Sequence, residues 1–334
     1  RRRTRSDDGS SGILGEESSQ LMASQDRGRI DLLGLGMSIL DSVQVLDQFP
    51  SDAGVTRVSN SVLMGGGPVP TALCAAARLG ARAAIMDRVG NDWRGDRIVE
   101  DYRKFGVDTR YLLNEEGRTS SFGTVLVRKS DGERHLLFEE GDFTPLEFPE
   151  LPREALISCR VLHLNGRHWP ACLEAARLVR ESGGLVSFDG GAHRFDPKLL
   201  ELLPLVDILI VAAEFADQAV GPGDRNAQLD RLAQWGANLV GITEGSKGSW
   251  FRAADGARFH QAAFPVAEVI DTTGCGDVFH GAFLAACVRG DSCSEAARWA
   301  SATAAMAATA LGGRGYLPGQ EEVERWVLLN GSKP

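Results

Sequence analysis

The sequence has no CxxC pair, no apolar run approaching 18 residues, no basic block beyond the first five positions and no Gly-X-Y period. Each absence removes a class of protein. Without a long apolar run there is no candidate membrane span. Without clustered Lys and Arg, and with a net charge of −9, a general nucleic-acid surface is not expected. Six scattered cysteines (Cys74, Cys159, Cys172, Cys275, Cys287 and Cys293) in a chain of 334 residues read as reduced, mostly buried thiols of a cytoplasmic protein. No signal peptide is visible, and after the first residues there is no internal repeat and no low-complexity stretch.

What the chain does have is glycine. It holds 39, about 12% where about 7% is usual. With collagen excluded, the excess points to specific tight loops. Hydrophobic residues at 43% and charged residues at 24% are ordinary for a globular protein, and the length suggests roughly two domains.

Residues 1–29 are polar, rich in Ser, Gly and Arg, and aperiodic. They read as a flexible tail or a remnant of expression, with Met22 a candidate start; the acidic residues in this stretch weigh against a transit peptide. Order is expected from Ile30 to about residue 330. IDLLGLG (30–36) reads as a buried strand, GGGPVPTALCAAARLGA (65–81) as a glycine turn entering a helix, RAAIMDRVG (82–90) as a strand and 93–105 as a helix. SSFGTVLVR and RHLLFEE, joined by KSDGE, form a hairpin signal. From about residue 160, the strands VLHLN, LVSFD, DILIV and NLVGIT alternate with helical segments, the signature of an α/β domain with a mostly parallel sheet. Insertions near 42–64 and 109–139 are expected to build a small β-sheet lid, and 276–310 reads as almost all helix.

The chemistry concentrates in VIDTTGCGDVFHGAFLAA (269–286). A short strand is expected to end at Asp271, followed by the loop TTGCG and a helix from Asp277 whose Val278, Phe279, Ala282, Phe283 and Ala286 share one face. A glycine-rich loop entering a helix N-terminus offers free N–H groups and a positive dipole end to an anion. Gly274 and Gly276 leave room for close backbone approach. Asp277 sits beside any anion bound there, which suits a general base acting on a substrate hydroxyl; the other reading is a simple N-cap aspartate.

DTTGCGD resembles the DTxGAGD signature of the PfkB, or ribokinase-like, carbohydrate kinases. GGGPVPTALCAAARLGA, VGNDWRGD (89–96), GERHLL (132–137) and TEGSKGS (243–249) fall in that family's order, so the resemblance spans about residues 30–320. It implies a three-layer α/β/α domain with a mostly parallel sheet and a β lid. It also implies transfer of the ATP γ-phosphoryl group to a sugar hydroxyl with Mg²⁺, and by analogy a monovalent cation. Asp277 would be the base, and the backbone of Gly274, Cys275, Gly276 and Asp277 the anion hole. Thr243, Gly245, Gly248, Thr272 and Thr273 would serve the nucleotide, and Asp41, Gly66 and Gly67 the sugar. The phrasing is most similar to the ketohexokinase-like and sulfofructose kinase branch. A ketohexose or modified ketohexose is then the first expected substrate, with ribose, fructose 6-phosphate and nucleosides behind it. Exposed lid edges suggest a homodimer.

The pattern departs from the family in places. Pro70 stands where the family often has a sugar-binding Asn. The metal-linked N-x-x-E segment reads AAEF, with Ala212 and Phe215 at its ends and Glu214 one place off, a weak metal candidate. Cys275 replaces an Ala; at a helix N-terminus its thiol could be acidic and readily oxidised, or simply fill a small slot. Of the D-x-N-x-R segment, only Asp189 carries over. Arg167 and His168, after VLHLN, are candidates for a polar or anionic part of the substrate, and His280 reads as a packed histidine. GLG (34–36) does not complete a dinucleotide fingerprint, because Ile39 stands at the third glycine. The departures leave one rival reading, a sugar- and nucleotide-binding scaffold with impaired catalysis.

Overall fold

The computed structural model describes residues 30–192 and 194–330; the expected tail, 1–29, lies outside them. Nine strands form one large sheet in the order β13-β12-β11-β10-β9-β8-β1-β4-β5. β1 (Leu32–Leu35), third from one edge, is flanked in parallel by β4 (Ala83–Gly90) and β8 (Val161–Leu164). Parallel pairing continues outward through β5 (Asp108–Glu115) on one side and β9 (Leu185–Gly190), β10 (Ile208–Ala212) and β11 (Leu239–Thr243) on the other. An antiparallel hairpin, β12 (Ser249–Ala253) and β13 (Arg258–Gln261), ends the sheet.

The central strands are near-continuous apolar runs because both faces are covered. Alternate residues go to opposite cores. Leu32, Ile85, Val161, Ile208 and Leu239 face one helical layer, α1 (Pro68–Arg78), α2 (Trp93–Phe105), α7 (Cys275–Arg289), α8 (Cys293–Ala307) and α9 (Gln320–Asn330). Leu33, Met86, Leu162, Leu209 and Val240 face the other, α3 (Arg153–Ser158), α4 (Ala171–Glu181), α5 (Ala213–Val220) and α6 (Arg225–Ala233). The result is the expected three-layer architecture.

A second sheet of four strands has the order β3-β2-β6-β7. It is built from β2 (Ile39–Leu46), β3 (Asn60–Gly66), β6 (Phe122–Arg128) and β7 (Arg134–Glu139). Residues 108–115, expected with these strands, instead form β5 of the large sheet, because their backbone pairs in parallel with β4. On one face of the small sheet Val43, Val125 and Val127 are buried with Val62 against Leu311.

Two further local expectations change. Residues 269–271 are not a strand: Ile270 and Asp271 donate their N–H groups to Ala308 O rather than to a sheet neighbour. α7 starts at Cys275, two residues before Asp277, and buries everything from Val278 to Val288 rather than one face. It lies so close to α1 that a Cβ on Gly281 would sit 2.1 Å from the carbonyl oxygen of Ala72.

The strand order reverses beside β1: the chain runs outward one way through β4 and β5, and the other way from β8 to β13. In open α/β sheets ligands bind beyond the carboxyl ends of strands near such a reversal. Asp41, Arg167, Asp189, Glu214 and Thr243 all follow or end strands at that edge.

Candidate active site

Gly274 caps α7 in a left-handed conformation, φ 72°, and no side chain caps the helix. A Cβ there would lie 2.7 Å from the Cα of Gly313, so glycine is required by a backbone-to-backbone contact. At Gly276 a Cβ would meet nothing within 4 Å. Open space thus adjoins the first-turn N–H groups, which have no intrahelical acceptor. Of the four donors expected for the anion hole, the Cys275 N–H is already engaged by Thr272 O at 3.3 Å. The loop is pinned by Asp271, which is buried. Its two oxygens accept from the N–H groups of Thr273 and Gly312, each at 2.8 Å.

Asp277 lies in the first turn of α7, inside the helix rather than at its cap. The N-cap reading is therefore incorrect. Loss of water around its carboxyl, and then the charge of Asp189, push its pKa up to about 7 against the pull of Arg194, Arg134 and Arg314. Of the two readings of Cys275, the acidic thiol is the one that fails. Burial, with the nearby Asp271 and Asp277 charges, raises the thiol to about 12, so it stays protonated and fills a small slot.

Arg314, from the turn between α8 and α9, acts on both candidate carboxylates. It is 3% exposed. It donates to Gly66 O at 2.9 Å, Thr71 Oγ1 at 3.2 Å and Asp101 Oδ2 at 2.5 Å, and it lies 5.4 Å from the Tyr102 ring centroid. These contacts tie the small sheet to α1 and α2. Asp41, on β2, sets its carboxylate over Gly66 and Gly123; a Cβ on either would fall about 2 Å from a carboxylate oxygen. Burial raises Asp41 to about 6, opposed by Arg314. Gly67, at φ 94°, turns the chain from β3 into α1, where a Cβ would strike Met37 O at 2.2 Å. Pro70 is buried in the first turn of α1, where a missing N–H costs nothing.

From the small sheet, Arg134 donates to Thr272 Oγ1 at 3.2 Å, bridging β7 to the glycine loop. Thr273 Oγ1 is buried and has no hydrogen-bond partner. On the far side of the edge, Thr243 ends β11 and its hydroxyl is 3.5 Å from Val211 O. Gly245, at φ 55°, faces open space, whereas a Cβ on Gly248 would meet Gln261 O at 2.1 Å.

The remaining candidates divide. Arg167 is exposed after β8. His168 does not face a ligand: it is buried, accepts from the Leu146 N–H through Nδ1 at 3.1 Å, and presents Nε2 to Asp87 Oδ1 at 2.7 Å. Glu214 is exposed on α5, and Phe215 packs wholly within the core, 6.1 Å from the Phe188 ring and 5.4 Å from that of Phe195. Among the described residues no three His, Cys, Asp or Glu side chains converge to hold a metal. Neither Arg314 nor Arg134 was assigned a site role from sequence, although Arg134 lies in GERHLL (132–137) and Arg314 in GGRG (312–315), a further glycine-rich turn.

A glycine-rich helix N-terminus with a half-buried carboxylate in its first turn thus lies beyond the carboxyl ends of the sheet, tied to the small sheet by Arg134. The profile of the pfkB family carbohydrate kinases matches residues 32–319, and the chain belongs to that family. It is 27% identical over 317 residues to a nucleoside kinase of Methanothermobacter thermautotrophicus, covering 93% of this chain and 99% of the relative. To the ketohexokinase of Mus musculus it is 22% identical over 276 residues, covering 80% and 92%. The Arabidopsis thaliana ribokinase, solved with ribose and ATP, superposes with a TM-score of 0.78 at 22% identity, covering 90% of this chain and 99% of that one.

Proposed function

We propose that this kinase transfers the γ-phosphoryl group of ATP to a hydroxyl of a ketohexose or a modified ketohexose. The observation that carries the catalytic assignment is the placement of Asp277 in the first turn of a helix whose N-terminus no side chain caps, where loss of water pushes its pKa up to about 7. A base poised near the working pH takes a proton most effectively. In this reading the Asp277 carboxylate accepts the hydroxyl proton as that oxygen forms its bond to the γ-phosphorus and ADP leaves. The N–H groups of Gly274, Gly276 and Asp277 stabilise charge on the phosphoryl oxygens. Asp41 accepts sugar hydroxyls, with Gly66 and Gly67 allowing close approach and Arg167 at the rim. Thr243, Gly245 and Gly248 line the nucleotide, whose phosphates reach Thr272 and Thr273.

ATP fits this edge: glycine backbone and a helix N-terminus supply donors without net positive charge. A protein cage for Mg²⁺ does not fit, since Glu214 is exposed and Phe215 occupies the core. No step is assigned to protein-held metal, and Mg²⁺ belongs to the nucleotide's phosphates. Lid edges also support a homodimer. Nucleoside phosphorylation is the second reading, favoured by the relative that aligns over 93% of the chain.

A coupled ATP assay across ketohexoses, sugar phosphates, sulfosugars and nucleosides tests substrate and class together. Turnover of a ketohexose above nucleosides is expected, and Asp277→Asn should lower kcat by about 10²–10⁴-fold without loss of fold. Nucleoside preference overturns the sugar, and near-normal turnover by the variant overturns the base.

A further inference from the structure

A buried set of titratable groups lies behind Asp277, and only the charge of Asp189 has entered the account so far. Asp189 is the penultimate residue of β9 and is 3% exposed. Its Oδ1 lies 3.3 Å from Nε2 of His280, and its Oδ2 lies 3.6 Å from Nη1 of Arg194. His280, also 3% exposed, is three residues beyond Asp277 on α7 and therefore on the same face, one turn deeper. The His163 ring lies 5.5 Å from it and is itself held by Ser187 Oγ at 3.2 Å. Asp189 Oδ2, His280 Nδ1 and His163 Nε2 are all buried without a hydrogen-bond partner. Burying a carboxylate with so few partners is costly.

The charges facing Asp277 can be read element by element. Asp189 comes from β9, Arg194 from the loop after it, Arg134 from β7 and Arg314 from the turn before α9. Asp271 and the protonated Cys275 lie on its own loop. Facing Asp189 are His280, Arg194 and His163, whose pull holds its carboxyl below the usual range against burial. Burial in turn lowers His280 and pushes His163 down to about 3. Asp189 thus presents its carboxylate to Asp277, with Arg194 at the solvent end of the cluster.

We propose that Asp189 and His280 are positioning residues for phosphoryl transfer: His280, one turn below the base, orients the Asp189 carboxylate, whose charge then bears on Asp277 from behind. This rests on Asp277 being the base. Two like charges near one another cannot both ionise freely, so Asp189 makes Asp277 the more basic partner. Removing the Asp189 charge makes Asp277 a weaker base; removing Arg194 makes it a stronger one.

The test is ¹³C NMR of aspartate-labelled protein, with the Asp277 carboxyl assigned by its loss in D277N and titrated beside the pH profile of kcat. In the native protein the midpoint should lie near 7. D189N should move both midpoints down by about one unit, with kcat at high pH falling roughly threefold. R194Q, altered at a side chain 41% exposed, should move them up and serves if D189N does not fold. H280Q, which keeps a donor, should hold the midpoint, and H280L should lower it. An Asp277 titration unmoved in D189N and R194Q overturns the proposal, and an H280L midpoint equal to the native one removes His280. Normal turnover in D277N would instead refute the base assignment, while the carboxyl titration is still read directly.

Discussion

Asp277 carries a cost as well as a function. Its pKa stands near 7 in the folded protein against 3.8 for the free side chain, and Asp41 near 6. A carboxyl raised on folding binds more protons native than unfolded between those values. Stability therefore falls as pH rises from about 4 to about 7 and stays low above. Asp277→Asn removes its share of that loss. At about pH 8 the variant should melt roughly 2–6 °C above the native protein, and the gap should close near pH 4. Equal melting curves at both values would mean that the carboxyl is not raised. This residue was legible because its setting is local: DTTGCGD places glycines, helix start and carboxylate within seven residues. Arg314 and Arg194 were not, because their relation to Asp277 exists only after distant segments meet.

At the scale of the element, α7 separates two uses of glycine. Gly281 faces the Ala72 carbonyl with no room for a methyl group, so Gly281→Ala should destabilise by about 1–3 kcal/mol, read as a lower denaturant midpoint. Gly276 has open space beside it and ordinary helical backbone, where alanine is normally the better residue. Gly276→Ala should leave the denaturant midpoint unchanged or slightly raised while lowering kcat/KM for ATP; unchanged kinetics would show that nothing approaches the helix there. The sequence showed that both glycines lie on one helix but could not tell packing from access. It also misplaced the helix start and the 269–271 strand, since Val269 and Ile270 look strand-forming but are half exposed in a loop pinned by Ala308.

Across the whole molecule, the small sheet is tied to the rest by apolar packing of Leu40, Phe122 and Leu311 and by polar contacts, Arg314 to Gly66, Arg134 to Thr272, and Arg94 to Glu139 at 3.0 Å. Its outer face carries a row across the sheet, Leu63, Ser42, Thr124 and Leu137, and Leu63 and Leu137 are about half exposed. Among the described residues, strands β3 and β7 end the sheet without a pairing neighbour. Open edges that each carry an exposed leucine favour a second copy of the chain. Sedimentation equilibrium should give twice the chain mass, and Leu63→Asp with Leu137→Asp should return it to one; a monomeric native protein at micromolar concentration would end that proposal. Among the described residues, no helix is long and apolar enough to cross a membrane.

The sequence by itself determined the class of fold, the position of Asp277 and most strands of the sheet. Those depend on short-range patterns: alternation, apolar runs, turn residues and a glycine loop before a helix. Only the tertiary structure decided that β5 joins the large sheet, that His168 is held by Asp87 rather than by ligand, and that Asp189, His280, Arg194, Arg134 and Arg314 surround one carboxyl. Burial and charge act through space. The proton affinity of Asp277 is therefore set by residues from four separate parts of the chain, which no local pattern connects.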